Sequence, residues 1–414
     1  MATETRYLGL SLGADICWPL AFEEILAASK LSVKVGKDTV KFECERMPLE
    51  PFSLRAPCKY HVVVDRLTHW LPLRREWIKK AVLMDGLYVY NNPWSVQSWE
   101  KHSTYCAMMA LGMPIPETVM VPQKNYEPKP DLEFTLQSYA KLFDLPAIGR
   151  ELGFPMFMKP YDGGGWQGVS MVESEEDLRR AYDNSERHLM HLQRAVSGYD
   201  LFVRAVGIGP QVRLMKYDPG QPLHMRYLPE RGFCSAEDEQ VMTDTCLVIN
   251  AFFGWDFNSC EALRRDGEFW PIDFANPCPD SQVNSIHFHW PWYVLSNLRW
   301  ALFAAATKRQ MRRTLDFEPF YAIAREDLPY REKLRRYAAI ARERMDAARF
   351  AEFCDKQLRP VTAATVDWLG GDSCRQAIRR KVGHVFPAHE VDEFSERFWQ
   401  QVQQGRAELA ESEA

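Results

Sequence analysis

The sequence lacks the features that mark several common classes of protein. None of its ten cysteines belongs to a C-x-x-C pair, so the signatures of a zinc site and of a thioredoxin-like redox centre are missing. A basic excess is missing too, and the net charge of −5 argues against general binding to nucleic acid or to an anionic membrane. No signal-peptide core follows the polar start, and the most apolar stretch, residues 290–307, is too short and interrupted to cross a bilayer. These absences predict a cytoplasmic protein with reduced thiols.

The sequence does have the composition of a folded protein with several lobes. Hydrophobic residues account for 46% of its 414 positions and charged residues for 26%, which is enough for a sizeable core. Apolar runs at residues 7–12, 60–64 and 87–90 predict buried strands, and helical patterns lie between them. Residues 1–97 are therefore expected to form a small α/β lobe, and residues 291–414 a helical C-terminal extension.

Three central segments carry clear local signals. Residues 98–111 predict a helix that Ser98 caps and Gly112 ends. Residues 132–152 predict a helix broken at Pro146. Two apolar runs on either side of Asp266-Gly267 predict a hairpin, because this dipeptide suits a two-residue turn.

The most informative segment is a glycine-rich loop between two predicted strands at residues 157–169. The first strand ends near Lys159, and Gly163, Gly164 and Gly165 follow. Adjacent glycines let backbone N–H groups approach a ligand closely, and successive N–H groups form a concavity that suits phosphate oxygens. The segment is neither a Walker loop nor a dinucleotide-binding fingerprint, since no Gly-Lys-Ser/Thr follows and the next element is a strand. The alternative is a simple hairpin turn.

The order of the motifs resembles that of the ATP-grasp superfamily, which includes D-alanine–D-alanine ligases and ribosomal-protein glutamate ligases. The similarity covers residues 100–280: a lysine opens a helix, Gly-x-Pro-x-Pro-x-Thr follows at residues 112–118, and then come the loop, a hinge and late acids. The resemblance implies an ATP-grasp fold of the α/β class with an N-terminal pre-ATP-grasp lobe at 1–97. It also implies an ATP-grasp region at 98–290, divided into a glycine-loop lobe (150–196) and a metal-bearing lobe (197–290), before the extension at 291–414.

The resemblance also implies a binding site for ATP. The family places two lysines and the loop glycines against the phosphates, a hinge acid and two backbone positions against adenine, and a further acid against the ribose. At the hinge acid this chain has a glutamine, whose amide can still pair with adenine. The residues that match these positions are Lys101, Lys159, Gly163, Gly164, Gly165, Gln193, Ala195, Val196 and Asp200.

A magnesium site is implied by Glu261, Asp273 and Asn276, with Mn²⁺ as an alternative ion. The family ends its metal motif as Glu-x-Asn, whereas this chain is one residue longer between acid and asparagine. Strand alternation would place Asp273 and Asn276 on opposite faces. A bulge, or the end of the strand before Pro277, would let them converge, and Asp280 is an alternative ligand.

An arginine is expected to face the γ-phosphate or a substrate carboxylate, because its fork of donors suits both groups. Arg226 precedes a Tyr-Leu pair as in some family members, and Arg204 and Arg213 compete with it for this catalytic role. Each of the three is also compatible with a surface position.

The resemblance implies an ADP-forming ligase that activates a small-molecule or peptide carboxylate as an acylphosphate and joins it to an amine or another nucleophile. Two polar clusters, residues 65–70 with Arg66 and residues 281–292 with His287 and His289, are candidates for holding the acceptor. The alternatives are a phosphotransferase that acts on a small molecule and a nucleotide-binding regulatory protein without turnover. The oligomeric state stays open, with a homodimer among the options.

Overall fold

The structure is a computed structural model that describes residues 3–13, 15–68, 71–95, 100–162 and 166–413. The chain forms two compact units. The larger unit comprises residues 1–97, 203–259 and 277–414, and the smaller unit comprises residues 98–202 and 260–276. The division into parts at 1–97, 98–290 and 291–414 stays a prediction. Within the described ranges, no helix is both long and apolar enough to cross a membrane.

Strands and helices alternate at first, and helices follow. The strands are β1 (Thr3–Ser11), β2 (Ser32–Val35), β3 (Asp38–Arg46), β4 (Val62–Asp65), β5 (Tyr88–Val89), β6 (Thr118–Val121), β7 (Met156–Pro160), β8 (Ser170–Val172), β9 (Met190–Arg194), β10 (Leu201–Ile208), β11 (Gln211–Lys216), β12 (Phe257–Arg265) and β13 (Glu268–Asn276). The helices are α1 (Cys17–Ser29), α2 (Pro72–Asp85), α3 (Lys101–Ala110), α4 (Leu132–Tyr139), α5 (Leu145–Leu152), α6 (Glu175–Asn184), α7 (Ala236–Phe253), α8 (Val283–Ile286), α9 (Trp290–Ala306), α10 (Glu318–Ala324), α11 (Tyr330–Arg344), α12 (Ala347–Gln357), α13 (Arg359–Leu369), α14 (Asp372–Val385) and α15 (Val391–Ser412). The predicted α/β class is confirmed.

The larger unit contains a five-stranded sheet in the order β2-β3-β1-β4-β5. Strands β3, β1, β4 and β5 are parallel, and β2 pairs antiparallel with β3 at one edge. Parallel neighbours need a crossover, which α2 supplies between β4 and β5. The three strands predicted for this region are confirmed in β1, β4 and β5, whereas the β2–β3 hairpin around Gly36 was not predicted.

The antiparallel strands β10 and β11 and a series of helices supply further core residues in the larger unit. The apolar segment predicted as a buried helix is α9, in which fifteen residues are buried. Gly405 lets α15 pack closely, since a Cβ at this position would lie 1.9 Å from the carbonyl oxygen of Phe288. All ten cysteines of the chain are free thiols.

The smaller unit is built on an antiparallel sheet in the order β6-β9-β7-β8. One face is covered by α5 and α6, whose Leu145, Leu152 and Leu178 join Met156, Met158 and Leu192 in a single core cluster. Since strand side chains alternate between faces, the other face carries Lys159 on β7 and His191 and Gln193 on β9. This second face holds most of the candidate site.

Two local predictions for the smaller unit have clear outcomes. The hairpin is confirmed: β12 and β13 flank Asp266 and Gly267, whose φ values are 54° and 77°, as the expected two-residue turn requires. The helix predicted for residues 132–152 does break, but at residues 140–144 and not at Pro146. Pro146 lies in the first turn of α5, where a missing N–H has little cost.

Candidate functional site

An ion pair joins the first turn of α3 to strand β13. Lys101 Nζ lies 2.8 and 2.7 Å from the two carboxylate oxygens of Asp273. The lysine side chain is only 5% exposed, so pairing offsets the cost of burying its charge. The pair is held at both ends: the Lys101 N–H donates to the Tyr161 carbonyl at 3.0 Å, and the Tyr105 hydroxyl donates to the Ile272 carbonyl at 2.7 Å. The structure therefore brings together one predicted phosphate ligand and one predicted metal ligand.

Lys159 occupies the same region of the smaller unit. Its buried ammonium donates to Gln193 Oε1 at 2.7 Å and to the Ile272 carbonyl at 3.3 Å. Burial lowers the pKa of Lys159 to about 8, while nearby Asp273 acts to raise it and Lys101 to lower it further. The Gln193 amide is itself oriented, because its Nε2 donates to Thr118 Oγ1 at 3.0 Å. Two lysines, one carboxylate and one amide thus share one small volume.

His191 belongs to this cluster and was missed by the sequence analysis. It pairs directly with Lys159 across strands β7 and β9, and its side chain is fully buried. Its ring lies 5.8 Å from the rings of both His102 and Tyr105, and neither ring nitrogen has a hydrogen-bond partner in the described part of the chain. Burial lowers the pKa of His191 to about 3, and His102 and the two lysines lower it in addition. The imidazole is therefore a neutral packing group beside the lysines.

The predicted metal ligands Asp273 and Asn276 converge despite their spacing. Asn276 Nδ2 donates to Asp273 Oδ1 at 3.3 Å, and β13 ends at Asn276, directly before Pro277. Three successive residues, 274–276, are buried, so the end of the strand departs from strict alternation. The sequence allowed two ways for these residues to converge. The structure shows the second, in which the strand ends before Pro277.

The oxygen donors of this region fit magnesium. Glu261 is buried on β12, the strand next to β13, and Asp273 and Asn276 add carboxylate and amide oxygens. Within the described ranges, no group of three or more His, Cys, Asp or Glu side chains could hold a metal by itself. This is compatible with Mg²⁺, which is usually held by one or two carboxylates together with nucleotide phosphates and water.

The predicted adenine hinge is the β9–β10 connection, where Gly198 has a φ of 71°. The N–H of Ala195 donates to the Pro155 carbonyl at 3.0 Å, so this backbone donor is already used within the sheet. Asp200, the predicted ribose ligand, is exposed and accepts from Arg264 Nη2 at 2.6 Å, which lowers its pKa. Val196 is buried beside the turn.

The three central glycines of the phosphate loop, Gly163, Gly164 and Gly165, lie outside the described residues. On one side of them, Pro160 ends β7. On the other side, Trp166 and Gly168 both have positive φ values, and Trp166 is exposed. A Cβ on Gly168 would lie 2.9 Å from Pro160 Cγ, so the returning chain passes close to the end of β7.

The three candidate arginines belong to the larger unit and have different surroundings there. Arg213 is buried; it donates to His289 Nδ1 at 3.0 Å and to both oxygens of Glu408 on α15 at 3.1 Å. Arg204 bonds to the Tyr227 hydroxyl and lies over the ring of that tyrosine. Arg226 Nε donates to the Gln221 carbonyl at 2.8 Å. Their assignment to catalysis stays a prediction, and Arg213 has a second role as an anchor for the last helix.

The two acceptor clusters also lie in the larger unit, apart from residues 69 and 70, which are outside the described ranges. Arg66 donates to Cys278 Sγ at 3.1 Å and to the Pro279 carbonyl at 2.9 Å. His287 and His289 are buried, and burial lowers the pKa of His287 to about 4. These contacts place the side chains of both clusters within the packing of the larger unit, and their role in holding an acceptor stays a prediction.

No profile of a known protein family matches the chain. It is 41% identical over 154 residues to D-alanine–D-alanine ligase A of Chromobacterium violaceum, covering 35% of this chain and 40% of that protein. It is 26% identical over 205 residues to the D-alanine–D-alanine ligase of Chromohalobacter salexigens, covering 46% of this chain and 59% of that protein. The matched segments thus span well under two thirds of these relatives. A solved RimK-domain ATP-grasp protein of Sphaerobacter thermophilus aligns with a TM-score of 0.45 at 14% identity, over 66% of this chain and 92% of its own.

Sequence relatives and motif order agree with each other. The motif order in residues 100–280 suggested the resemblance to ATP-grasp ligases. The curated relatives are D-alanine–D-alanine ligases, which are one of the types named there. The chain is therefore similar, over part of its length, to D-alanine–D-alanine ligases, which are members of the ATP-grasp superfamily that its motif order resembles.

Proposed function

We propose that this protein is an Mg·ATP-dependent, ADP-forming ligase that activates a carboxylate and joins it to an amine or a similar nucleophile. The observation that carries the proposal is the cluster in the smaller unit: buried Lys101 and Lys159 beside Asp273, with Asn276 against the same carboxylate. Two buried ammonium groups near one carboxylate leave an excess of positive charge. A polyphosphate would offset that excess.

Each residue of the cluster has a physical role in this proposal. Lys159 and Lys101 would neutralise phosphate oxygens, and the loop around Gly164 would add backbone donors. Gln193 and the backbone of Ala195 and Val196 would face adenine, with Asp200 near the ribose. These assignments are proposals that rest on the family pattern. The hydrogen bonds already made by Ala195 and Asp200 mean that ATP would compete with internal partners there.

Asp273 and Asn276, with Glu261, are the residues that would hold Mg²⁺. When bound, the ion supplies charge neutralisation at the phosphates and favours departure of the γ-phosphoryl group. Lys101 now pairs with the Asp273 carboxylate, so we propose that this lysine transfers part of its interaction to nucleotide phosphate as the carboxylate turns to the ion. His191 adds no charge and keeps water away from the two ammonium groups.

The proposed reaction is tested by product analysis. The enzyme is incubated with Mg·ATP and pools of carboxylates and amines, and the nucleotide product is identified. We expect ADP and phosphate, formed only when a carboxylate and a nucleophile are both present, because ligation proceeds by attack at the γ-phosphorus. AMP as product would contradict the mechanism. ADP with a stable alcohol phosphate would favour the phosphotransferase, and binding without turnover would favour the regulatory protein.

Nucleotide affinity should depend on pH through Lys159. Its pKa is about 8 in the protein, and phosphate binds the charged form. Below pH 8 the ammonium is present and affinity is at its maximum; above pH 8 the neutral amine predominates and affinity falls. We expect a loss of about tenfold between pH 7 and pH 9, with proton uptake on binding at pH 9. Calorimetry in two buffers of different ionisation enthalpy measures both quantities.

The matched control for this effect is Lys159→Arg. A guanidinium stays charged throughout this range, so the variant should bind with little change between pH 7 and pH 9 even if its affinity is lower. An equal pH dependence in the variant and the parent would assign the titration to another group.

A further inference from the structure

A cavity with an excess of basic side chains lies in the larger unit, on a connecting segment and a helix junction that the proposed reaction does not use. Its volume is about 600 Å³, and its walls come from residues 307–319 and from residues 340–349 at the α11–α12 junction. Five basic side chains line it: Lys308, Arg309, Arg312, Arg344 and Arg349. The acidic side chains in the lining are Asp316, Glu343 and Asp346, so cations are in excess although the whole chain carries a net charge of −5.

Two of the guanidinium groups are fixed in place by the protein. Arg344 donates to the carbonyl oxygens of Ala251, Leu315 and Asp316 and lies over the ring of Phe320, 4.6 Å from its centre. Arg309 donates to the Tyr88 hydroxyl at 2.8 Å and to the Arg344 carbonyl at 2.7 Å. Groups held in this way lose little conformational freedom when a ligand arrives, which favours binding.

The positive charge is only partly offset from within. Burial and the like charge of Arg312 together lower the pKa of Arg344 to about 10, although the carboxylates of Asp316 and Glu343 act to raise it. Arg312 is exposed, and in the part of the chain that the structure describes its side chain has no carboxylate partner. Arg349 pairs with Asp346 at 3.4 Å, three residues earlier on an exposed surface where such pairs contribute little. Like charges that face a common cavity are stabilised when an anion enters it.

We propose that this cavity binds a small molecule that bears two or more phosphate groups. Several cations around one space require a ligand with more than one negative charge, and arginine forks match the oxygens of phosphate. A volume of about 600 Å³ is in the range of small-molecule sites. Pro319 and Ile340 add a small apolar surface to the wall.

The test uses inorganic pyrophosphate as the probe, with full-length protein and calorimetry at low and at physiological ionic strength. The parent protein should bind, and Arg312→Glu should weaken binding at least tenfold. This arginine is exposed, so its replacement leaves the fold intact. The control is Arg335→Glu, the same charge change at an exposed position of α11 outside the cavity, which should alter affinity less than twofold.

A third variant separates this cavity from the proposed nucleotide site. Arg312→Glu removes the part of pyrophosphate binding that takes place in the cavity. Lys159→Met should leave that part unchanged, because Lys159 belongs to the smaller unit. The proposal is overturned by absence of binding in the parent, by equal losses in Arg312→Glu and Arg335→Glu, or by loss of all binding in Lys159→Met.

Discussion

Lys159→Met should weaken Mg·ATP binding by about 10- to 100-fold at pH 7, because a charge-assisted bond to phosphate contributes about 1.5–3 kcal/mol. The buried ammonium of Lys159 lies between Gln193 and the Ile272 carbonyl, in the cluster that we assign to phosphate. Methionine fills a similar volume without the charge. Turnover should fall at least as much as affinity, because neutralisation matters most when the γ-phosphoryl group moves.

The fold of this variant should be retained. The lowered pKa of Lys159 means that burying its charged form costs free energy at pH 7. The variant no longer has this cost, and the gain offsets the stability lost with the two hydrogen bonds. Thermal unfolding should shift by only a few degrees. Lys141→Met, at an exposed position of the same unit, is the matched control and should bind ATP like the parent. If Lys159→Met also binds ATP like the parent, the central assignment of the site is wrong.

Asp273→Asn should destabilise the protein by about 3 kcal/mol, because it leaves the buried Lys101 ammonium without its counter-ion. Combining it with Lys101→Met should recover most of this loss, since a neutral pair has no buried charge to compensate. The free energy of unfolding from urea titration measures both effects. The single and double variants together form a cycle whose coupling energy isolates the ion pair.

The matched control is Asp200→Asn, which breaks an ion pair with Arg264 in the same unit. The Asp200 side chain is 59% exposed, so this change should cost less than about 1 kcal/mol. A similar loss for Asp200→Asn and Asp273→Asn would mean that burial of Lys101 does not govern the effect. Failure of the double variant to recover stability would point to a role for Asp273 beyond the ion pair, with Asn276 as its nearest partner.

Local chemistry in the sequence was enough to predict several elements. Asp266-Gly267 specified a two-residue turn because both residues accept positive φ. The order of the motifs also identified Lys101, Lys159 and Asp273 as members of one site. Such signals depend on a few adjacent residues, so they can be read without knowledge of the rest of the fold.

Contacts between distant residues could not be predicted in the same way. Lys101 and Asp273 are separated by 172 positions, and the sequence assigned them to different ligands without indicating that they pair. His191 gave no signal, because a single histidine within an apolar strand is compatible with many environments. Its position two residues before Gln193, on the same face of β9, was the available clue. The ion pair between Arg213 and Glu408 likewise depends on how the last helix packs, which the local sequence does not indicate.

The smaller unit is discontinuous in the chain, and this has a consequence for inheritance. Residues 98–202 carry Lys101, Lys159, the glycine loop and the predicted hinge, whereas residues 260–276 carry the three predicted metal ligands. A chimaera that combines residues 98–202 of this chain with a second stretch lacking an acid at position 273 would leave the Lys101 ammonium buried and unpaired. Such a chimaera would be less stable than the parent protein, whatever its activity. Exchange of either stretch between related genes is therefore expected to be tolerated only where a carboxylate is kept at position 273.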